Sequence, residues 1–241
     1  MRIIACDTYE EMSKKAACIV AGQIALKPDS VIGLPTGSTP VGMYTILGEM
    51  NEKGEVDFSQ VKTFNLDEYY KIDPKNDQSY RYFMNEKLFS KINIKPENAH
   101  VLYGLAQDPE AECAQYEKLI EESGGIDLQV LGIGQNGHIG FNEPDSVLNA
   151  VTHLTSLTES TVDANSIYFA TRDEMPRQAL TMGIGSILKA RKIILLANGA
   201  NKRQAVSELL NNDIKFSVPA SILKVHSDVT LICDKAALGQ I

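Results

Sequence analysis

The loop that reads GIGQNGHIGFNE, residues 132–143, contains three side chains that together could move protons, Asn136, His138 and Glu143. A histidine held by a carboxylate and an amide is a proton carrier near neutral pH. The simpler alternative is a histidine that only packs or caps, but the nearby carboxylate and the flexible glycines favour proton transfer. No second histidine or cysteine lies near enough in the sequence to suggest a metal-ligand set, so we predict no metal here.

The first six residues of the same loop also fit G-x-G-x-x-G, the fingerprint of a dinucleotide site. Such a site needs a strand before the glycines and a helix directly after them. Pro144 would interrupt a helix that began at Gly137. We therefore predict no nicotinamide or flavin cofactor. The sequence also has no G-x-S-x-G elbow, so a serine nucleophile is not indicated.

A pair of adjacent carboxylates, Asp67 and Glu68, follows a predicted apolar strand. A carboxylate at the end of a strand is well placed to act as a general base. The alternative is a solvated loop or the start of a helix, where acidic residues are common. We predict Asp67 as the base, because alternation along the chain would point Glu68 to the other side.

The loop between the second predicted strand and the next helix has the composition of an anion site. It contains Thr36, Gly37, Ser38, Thr39 and Pro40. Ser38 or Thr39 could cap the helix, Pro40 suits its first turn, and free N–H groups at a helix start attract anions. The alternative is an ordinary well-capped turn. A Walker loop is excluded, because the Gly-Lys-Ser/Thr ending is missing.

The elements that must position these residues alternate along the chain. Short apolar runs predict strands at residues 2–6, 30–34, 61–66, 127–134, 192–197 and 229–233. Start signals predict helices from Thr8 to about Leu26, over 109–123 after Asp108, and from Asn201 to about Asn211. This pattern predicts an α/β fold with a mostly parallel sheet flanked by helices. Ligands of such sheets bind outside the carboxyl ends of the strands, where the loops described above lie.

Chain length, net charge, the lengths of the apolar runs and the number of cysteines limit the class of protein. The 241 residues, with no linker or repeat, predict one domain over 1–241, and the net charge of −8 disfavours nucleic acid as a partner. No apolar run approaches a membrane span of about 20 residues, and the start of the chain does not resemble a signal peptide. Four single cysteines favour reduced thiols and a cytoplasmic location.

Four stretches resemble one known family along nearly the whole chain: GLPTGSTP (33–40), FNLDEYY (64–70), LGIGQNGHIGFNEP (131–144) and ALTMGIGSIL (179–188). Their order and spacing are similar to those of the glucosamine-6-phosphate deaminases. The resemblance implies a single Rossmann-like domain and the conversion of D-glucosamine 6-phosphate and water to D-fructose 6-phosphate and ammonia. It implies no cofactor and no metal.

The resemblance also implies a role for each site residue. His138 would carry the proton during opening of the sugar ring, oriented by Glu143 and Asn136, and Asp67 would move the proton from C2 to C1. The phosphate would bind at Thr36, Gly37, Ser38, Thr39 and Lys202. Taken alone, Lys202 would be assigned as a solvated helix lysine.

Two positions depart from the family pattern. Asn136 stands where aspartate is common; an asparagine can orient the imidazole but brings no negative charge. Ile167 stands where many members have a phosphate-binding arginine, and isoleucine cannot supply that charge. Arg172 is one cation that could replace it. The polar region 145–175 resembles the family's helical lid, which would exclude water from the site.

Three other functions remain open on the sequence. A 6-phosphogluconolactonase would share the architecture but needs no base at C2, and a galactosamine-6-phosphate deaminase stays open because of Ile167. A sugar-phosphate-sensing module would need no Asp67 together with His138. The resemblance also bears on assembly: hexameric, allosterically activated members of the family carry a longer C-terminal segment, so we expect a non-allosteric monomer here, with a homo-oligomer as the alternative.

Overall fold

The computed structural model describes residues 1–166, 169, 171–211 and 213–239. Its strands are β1 (Arg2–Cys6), β2 (Val31–Leu34), β3 (Lys62–Asn65), β4 (Asp67–Tyr69), β5 (Ala99–His100), β6 (Leu128–Gly132), β7 (His153–Ser156), β8 (Gln178–Thr181), β9 (Lys192–Ala197) and β10 (Val229–Asp234). Its helices are α1 (Tyr9–Leu26), α2 (Val41–Glu52), α3 (Tyr80–Lys87), α4 (Pro109–Glu122), α5 (Glu159–Ser166), α6 (Ile184–Leu188), α7 (Arg203–Leu210) and α8 (Lys235–Leu238).

Short 3-10 helices connect several of these elements. They span Phe89–Lys91, Pro96–Asn98, Arg172–Glu174, Ala200–Lys202 and Pro219–Val225.

Seven strands form one sheet in the order β1-β10-β9-β6-β2-β3-β5, and the neighbouring strands in it pair in parallel. A second, three-stranded sheet has the order β4-β8-β7 and is antiparallel. The predicted α/β fold with a parallel sheet flanked by helices is confirmed, and each of the six predicted strands is present in the large sheet. The segment 145–175 contains the helix α5, as expected of a helical lid, and also β7, which the sequence analysis did not predict.

Alternating side chains of the parallel strands divide the core between the two faces of the sheet. Along β9, Ile193 and Leu195 belong to the core that includes residues of α4, α6 and α7. Ile194 and Leu196 belong to the core that includes residues of α1, α2 and α3. A strand buried on both faces reads as a continuous apolar run, which is why these strands were visible in the sequence.

Helix starts were predicted with mixed success. The Thr8 hydroxyl accepts a hydrogen bond from the Glu11 N–H at 3.2 Å, and Asp108 caps α4, as expected. The expected cap of α2 by Ser38 or Thr39 is wrong: the cap residue is Pro40, without a side-chain hydrogen bond. The Thr39 hydroxyl donates a hydrogen bond to Asn198, in the loop that follows β9.

The last predicted helix is shorter than expected. Residues Ala200–Lys202 form a 3-10 turn, and the α-helix starts at Arg203 rather than at Asn201. This turn places Lys202 in the loop that follows β9. In the part of the chain that the structure describes, no helix is long and apolar enough to cross a membrane.

The end of the sheet opposite to the site is held by one buried carboxylate, Asp127. Its Oδ2 accepts hydrogen bonds from Lys27 Nζ at 2.6 Å and from the Val31 N–H at 2.8 Å. Its Oδ1 accepts a hydrogen bond from Arg191 at 3.0 Å. Asp127 therefore joins three segments that are distant in sequence.

We predict that Asp127→Ala lowers the free energy of unfolding by about 2 kcal/mol, because it leaves the buried Val31 N–H without a partner. Equilibrium unfolding in urea measures the change. The control is Arg2→Ala, which removes an exposed ion pair with Asp228 and is expected to cost less than about 0.5 kcal/mol. Equal losses for the two variants would contradict the assigned role of Asp127.

Candidate active site

A cavity of about 740 Å³ opens at the carboxyl ends of four neighbouring strands, β9, β6, β2 and β3. From β2 the chain proceeds to β3 on one side of the sheet and later returns to β6 on the other. Such a reversal leaves a crevice between the loops, and ligands of open α/β sheets bind there. The loops that follow all four strands contribute residues to the cavity wall.

The structure brings the predicted site residues together in this cavity. Eight of the nine line its wall: Thr36, Gly37, Ser38, Thr39, Asp67, Asn136, His138 and Lys202. The ninth, Glu143, contacts His138 from behind, with 3.3 Å between its Oε2 and the imidazole Nδ1.

Hydrogen bonds fix the amide of Asn136 and thereby the tautomer of His138. Asn136 Nδ2 donates to Glu143 Oε2 at 2.7 Å, so its Oδ1 is the atom that faces the histidine. That oxygen accepts from His138 Nδ1 at 2.7 Å and from the His138 N–H at 3.2 Å. A neutral imidazole with its hydrogen on Nδ1 has a free lone pair on Nε2. Nε2 is therefore the atom that can accept a proton.

Glu143 is surrounded by donors. Burial alone would raise its pKa, but the hydrogen bond and charge of His138, with hydrogen bonds from Thr161 and Asn136, lower the pKa of Glu143 to about 2. The carboxylate is thus ionised at neutral pH. An ionised Glu143 stabilises the positive charge that His138 acquires when it takes up a proton.

Glycines allow the loop of residues 132–143 to approach its own histidine and the neighbouring carboxyl group. A Cβ at Gly134 would lie 2.3 Å from atoms of the His138 ring, so only glycine fits there. Gly140 has a φ of +58°, and a Cβ on it would lie 3.5 Å from Asp67 Oδ2. The loop that holds His138 therefore passes directly beside Asp67.

Asp67 is buried at the floor of the cavity, with 6% of its surface exposed. Burial, and after it the neighbouring charge of Glu68, raises the pKa of Asp67 to about 8. A carboxyl group with a pKa near neutrality can both accept and return a proton, as a general base in an isomerisation must.

Glu68 faces away from the cavity, as the alternation along the strand predicts. Its carboxylate accepts hydrogen bonds from the N–H groups of Tyr69, Tyr80 and Arg81 at 2.8–2.9 Å and so holds the start of α3. Burial raises the pKa of Glu68 to about 7, although these N–H groups oppose the shift. The two adjacent carboxyl groups thus differ in position: Asp67 lines the cavity, and Glu68 supports a helix.

The predicted anion site, residues 36–39 and named here the anion cradle, lies in the loop that joins β2 to α2 and lines the cavity. Gly37 has a φ of +91°, which a residue with a side chain rarely adopts. The Thr39 hydroxyl donates to Asn198 Oδ1 at 2.7 Å, which ties the cradle to the loop after β9. The hydroxyl of Tyr9 accepts a hydrogen bond from the Gly42 N–H at 2.8 Å and donates one to the Ser38 carbonyl oxygen at 3.2 Å.

Lys202 is the cationic side chain of this cavity: among the described residues that line it, no other is lysine or arginine. Burial lowers the pKa of Lys202, which is only partly exposed. The idea that Arg172 supplies a second cation is not supported, because Arg172 pairs with Glu159 and Asp163 outside the lining. Ile167, where the family pattern has arginine, lies outside the described residues.

Part of the cavity wall was not predicted from the sequence. Thr161 and Asn165 of α5 line the cavity, and so does Phe169. Tyr69, Tyr80 and Phe141 add an aromatic side, in which the rings of Tyr80 and Phe141 stack with centroids 6.1 Å apart. No role was predicted for these residues. Tyr69 and Phe141 lie within the stretches FNLDEYY and LGIGQNGHIGFNEP, and Thr161 and Asn165 recur on one face of the helix at a spacing of four.

The dinucleotide fingerprint lacks the helix that it requires. The G-x-G-x-x-G loop is followed by turns, and residues 133–152, all of them described, contain no helix. Across the described residues, no cluster of three or more histidine, cysteine, aspartate or glutamate side chains is arranged to hold a metal ion.

Comparison with known proteins gives the family of the chain. A family model described as glucosamine-6-phosphate isomerases/6-phosphogluconolactonase matches residues 7–232. The chain is 57% identical to the glucosamine-6-phosphate deaminase of Halothermothrix orenii, covering 98% of both chains. It is 54% identical to the enzyme of the same name from Clostridioides difficile, covering 100% of this chain and 97% of the other.

Solved structures agree with this result. A monomeric glucosamine-6-phosphate deaminase superposes over 100% of both chains with a TM-score of 0.97 and 44% identity. A 6-phosphogluconolactonase from Thermotoga maritima, at 20% identity and a TM-score of 0.77 over 97% of this chain and 99% of that one, shares the fold. The chain therefore belongs to the family of glucosamine-6-phosphate isomerases and 6-phosphogluconolactonases. Within that family, the relatives that share more than half of their residues with nearly the whole chain are named glucosamine-6-phosphate deaminases.

Proposed function

We propose that residues 1–241 form one catalytic domain that converts D-glucosamine 6-phosphate and water to D-fructose 6-phosphate and ammonia. One observation carries the proposal: a buried Asp67 carboxyl group and the His138 imidazole line one cavity beside an anion cradle. The similarity to enzymes named for this reaction supports it.

The first step is opening of the sugar ring. His138 Nε2 takes the proton of the anomeric hydroxyl and delivers it to the ring oxygen. The contacts from His138 Nδ1 to Asn136 and Glu143 keep the imidazole ring in place while the charge of the imidazole changes. A general acid–base group positioned in this way contributes about 10²–10⁴-fold in rate.

The second step is the shift from aldose to ketose. Asp67 removes the proton from C2 and returns it to C1, and the substrate's ammonium group gives one proton to the C1 oxygen, which leaves an iminium group at C2. Water then adds to C2 and ammonia leaves. The ammonium group of the substrate favours ionisation of a nearby carboxyl group, which helps Asp67 act as a base despite its raised pKa.

The phosphate group binds in the cradle of Thr36–Thr39, at the start of α2 and beside Lys202. Backbone N–H groups, hydroxyls and the positive end of a helix attract a phosphate, and the lysine adds a full charge. Binding at this point places the sugar chain across the cavity, between His138 and Asp67.

The rival functions are less well supported. Lactone hydrolysis requires no base at C2, so a 6-phosphogluconolactonase would leave the buried Asp67 unexplained. Relatives with high identity over the full length are named as glucosamine enzymes, which disfavours the galactosamine epimer as the main substrate. A sensing module would have no use for the proton-transfer geometry around His138.

The test is to supply purified protein with glucosamine 6-phosphate, galactosamine 6-phosphate and 6-phosphogluconolactone, and to measure ammonia and ketose phosphate. We expect ammonia and fructose 6-phosphate from the first compound. Lactone hydrolysis without ammonia release, or ammonia from the galactosamine compound alone, would reject the proposal.

Monomeric state and a cytoplasmic location are further parts of the proposal. The solved deaminase with a TM-score of 0.97 is described as monomeric, and the four cysteines of this chain are free thiols, as in reducing compartments. Light scattering coupled to gel filtration tests the first part: a mass near 26.4 kDa is expected.

We predict that Asp67→Asn lowers the exchange of the C2 hydrogen with solvent by about 10³-fold, because the amide cannot accept the proton. Proton NMR of the substrate in D₂O measures the exchange. Binding of the substrate is expected to persist, as checked by calorimetry. If exchange continued at the wild-type rate, the base would have to be another group, with Glu68 the next candidate.

We predict that Asp67→Asn also stabilises the fold, and more so at high pH. The pKa of Asp67 is about 8 in the folded protein and about 4 in the unfolded chain, so wild-type stability falls as the pH rises between these values. Asparagine stays neutral. The gain should be about 1 kcal/mol at pH 5 and a few kcal/mol at pH 8, measured by thermal unfolding. Asp77→Asn, at an exposed residue of the same cavity, should show no such trend.

We predict that Lys202→Met raises KM by about 10- to 100-fold and changes kcat little, because the lysine binds the phosphate equally in ground and transition state. Steady-state kinetics of ammonia release measures both constants. Lys118→Met removes an exposed lysine from α4 and serves as the control for lost charge. A fall in kcat alone would place Lys202 in the chemistry instead.

A further inference from the structure

Thr161, on the helix α5, reaches the carboxylate that supports the catalytic histidine. Its hydroxyl donates a hydrogen bond to Glu143 Oε1. The residue is buried, with 6% of its surface exposed, and it lines the cavity. It is a direct contact between α5 and the group around His138.

The direction of this hydrogen bond is set by a second hydroxyl. The Thr161 N–H donates to Thr158 Oγ1 at 3.2 Å, and the Thr158 hydroxyl donates to Thr161 Oγ1 at 3.1 Å. Because Thr161 Oγ1 already accepts a proton from Thr158, its own hydrogen is free to point to Glu143. The two threonines form a directed chain that ends on the carboxylate.

The other oxygen of Glu143 serves the histidine. Oε2 accepts from Asn136 Nδ2 at 2.7 Å and lies 3.3 Å from His138 Nδ1. With donors on both oxygens, the carboxylate cannot rotate about its terminal bond without losing a charge-assisted hydrogen bond. Without Thr161, Oε1 has no remaining donor among the described residues, and only the contacts of Oε2 with Asn136 and His138 restrain the rotation.

We propose that Thr161 is a positioning residue for ring opening, which it serves by fixing the rotation of the Glu143 carboxylate. The inference rests on the proposed function. A carboxylate held in one rotation keeps the amide of Asn136 oriented, and Asn136 in turn keeps the hydrogen of His138 on Nδ1. The lone pair of Nε2 then stays directed at the substrate.

Packing does not require this hydroxyl. The neighbouring Val162 is fully buried and anchors α5 in the small core that includes Tyr69, Phe141 and Met175. A valine at position 161 would have the shape of threonine without its hydroxyl. Thr161→Val therefore removes the hydrogen bond while leaving the apolar contacts of the helix in place.

The experiment compares Thr161→Val, Thr161→Ser and wild type by steady-state kinetics of ammonia release from glucosamine 6-phosphate. We expect Thr161→Val to lower kcat by about 10- to 100-fold, the effect of losing a hydrogen bond to a charged group, with KM within about twofold. Thr161→Ser restores the hydroxyl and should return kcat to within about threefold of wild type.

Two controls separate positioning from damage to the fold. Ser166→Ala removes a hydroxyl from the same helix whose hydrogen bond, within the described part of the chain, goes to the Asp163 carbonyl oxygen, and it should leave both constants unchanged. The alditol 6-phosphate of the substrate, an open-chain compound that needs no ring opening, should inhibit Thr161→Val and wild type equally. If Thr161→Val does not fold, Thr161→Ala gives the same comparison.

A double-mutant cycle tests the path through Glu143. If Thr161 acts through that carboxylate, adding Thr161→Val to Glu143→Ala should lower kcat by less than about twofold further. A wild-type kcat in Thr161→Val, additive losses in the cycle, or a loss that serine does not restore would each overturn the inference. Absence of ammonia release by the wild-type protein would instead reject the proposed function itself.

Discussion

The parallel alignment of β9, β6, β2 and β3 is the constraint on which the site depends. Parallel strands end at one edge of a sheet, so the loops after these four strands meet although their residues are far apart in sequence. Each loop contributes a different chemical part: Lys202, the imidazole of His138, the anion cradle, and the carboxyl group of Asp67. The continuous apolar sequences that bury the sheet on both faces therefore also determine where the reactive groups lie.

Environment gives the carboxyl groups of Asp67, in the cavity, and Glu143, behind its wall, opposite properties. Asp67, with little beside it to stabilise a charge, has a pKa raised to about 8, whereas Glu143, surrounded by donors, has a pKa lowered to about 2. One group can therefore exchange protons near neutral pH while the other remains a fixed negative charge. Pairs of titratable groups whose pKa values are shifted apart in this way commonly divide acid–base work between them.

Much of this arrangement could be predicted from the sequence, because its signals are local. Strands buried on both faces appear as apolar runs, and the caps at Thr8 and Asp108 mark helix starts. The short strands β4, β7 and β8 could not be found in this way. Their pairing depends on partners distant in sequence, and residues such as those of β7 are only partly buried.

The same limit applies to the site. The polar loop around His138 could be recognised because its residues are close in sequence, and the role of Lys202 came from family resemblance rather than from its own surroundings. The contribution of Thr161 could not be predicted, since its partner Glu143 is reached only through the fold. The cap of α2 was predicted wrongly, since the cap residue is Pro40; the hydrogen bond from the Thr39 hydroxyl to Asn198 joins two loops distant in sequence and is likewise not visible in the local sequence.

The antiparallel pairing of β4 with β8 has a consequence for the order in which the protein becomes active. Asp67 lies opposite Thr181 in this ladder, so its orientation is set by a strand that is synthesised much later. A slip of one residue in that pairing would turn the carboxyl group out of the cavity. The first βα units precede β8 in the chain, so the carboxyl group of Asp67 takes its place in the cavity only after a strand more than 100 residues later has paired with β4.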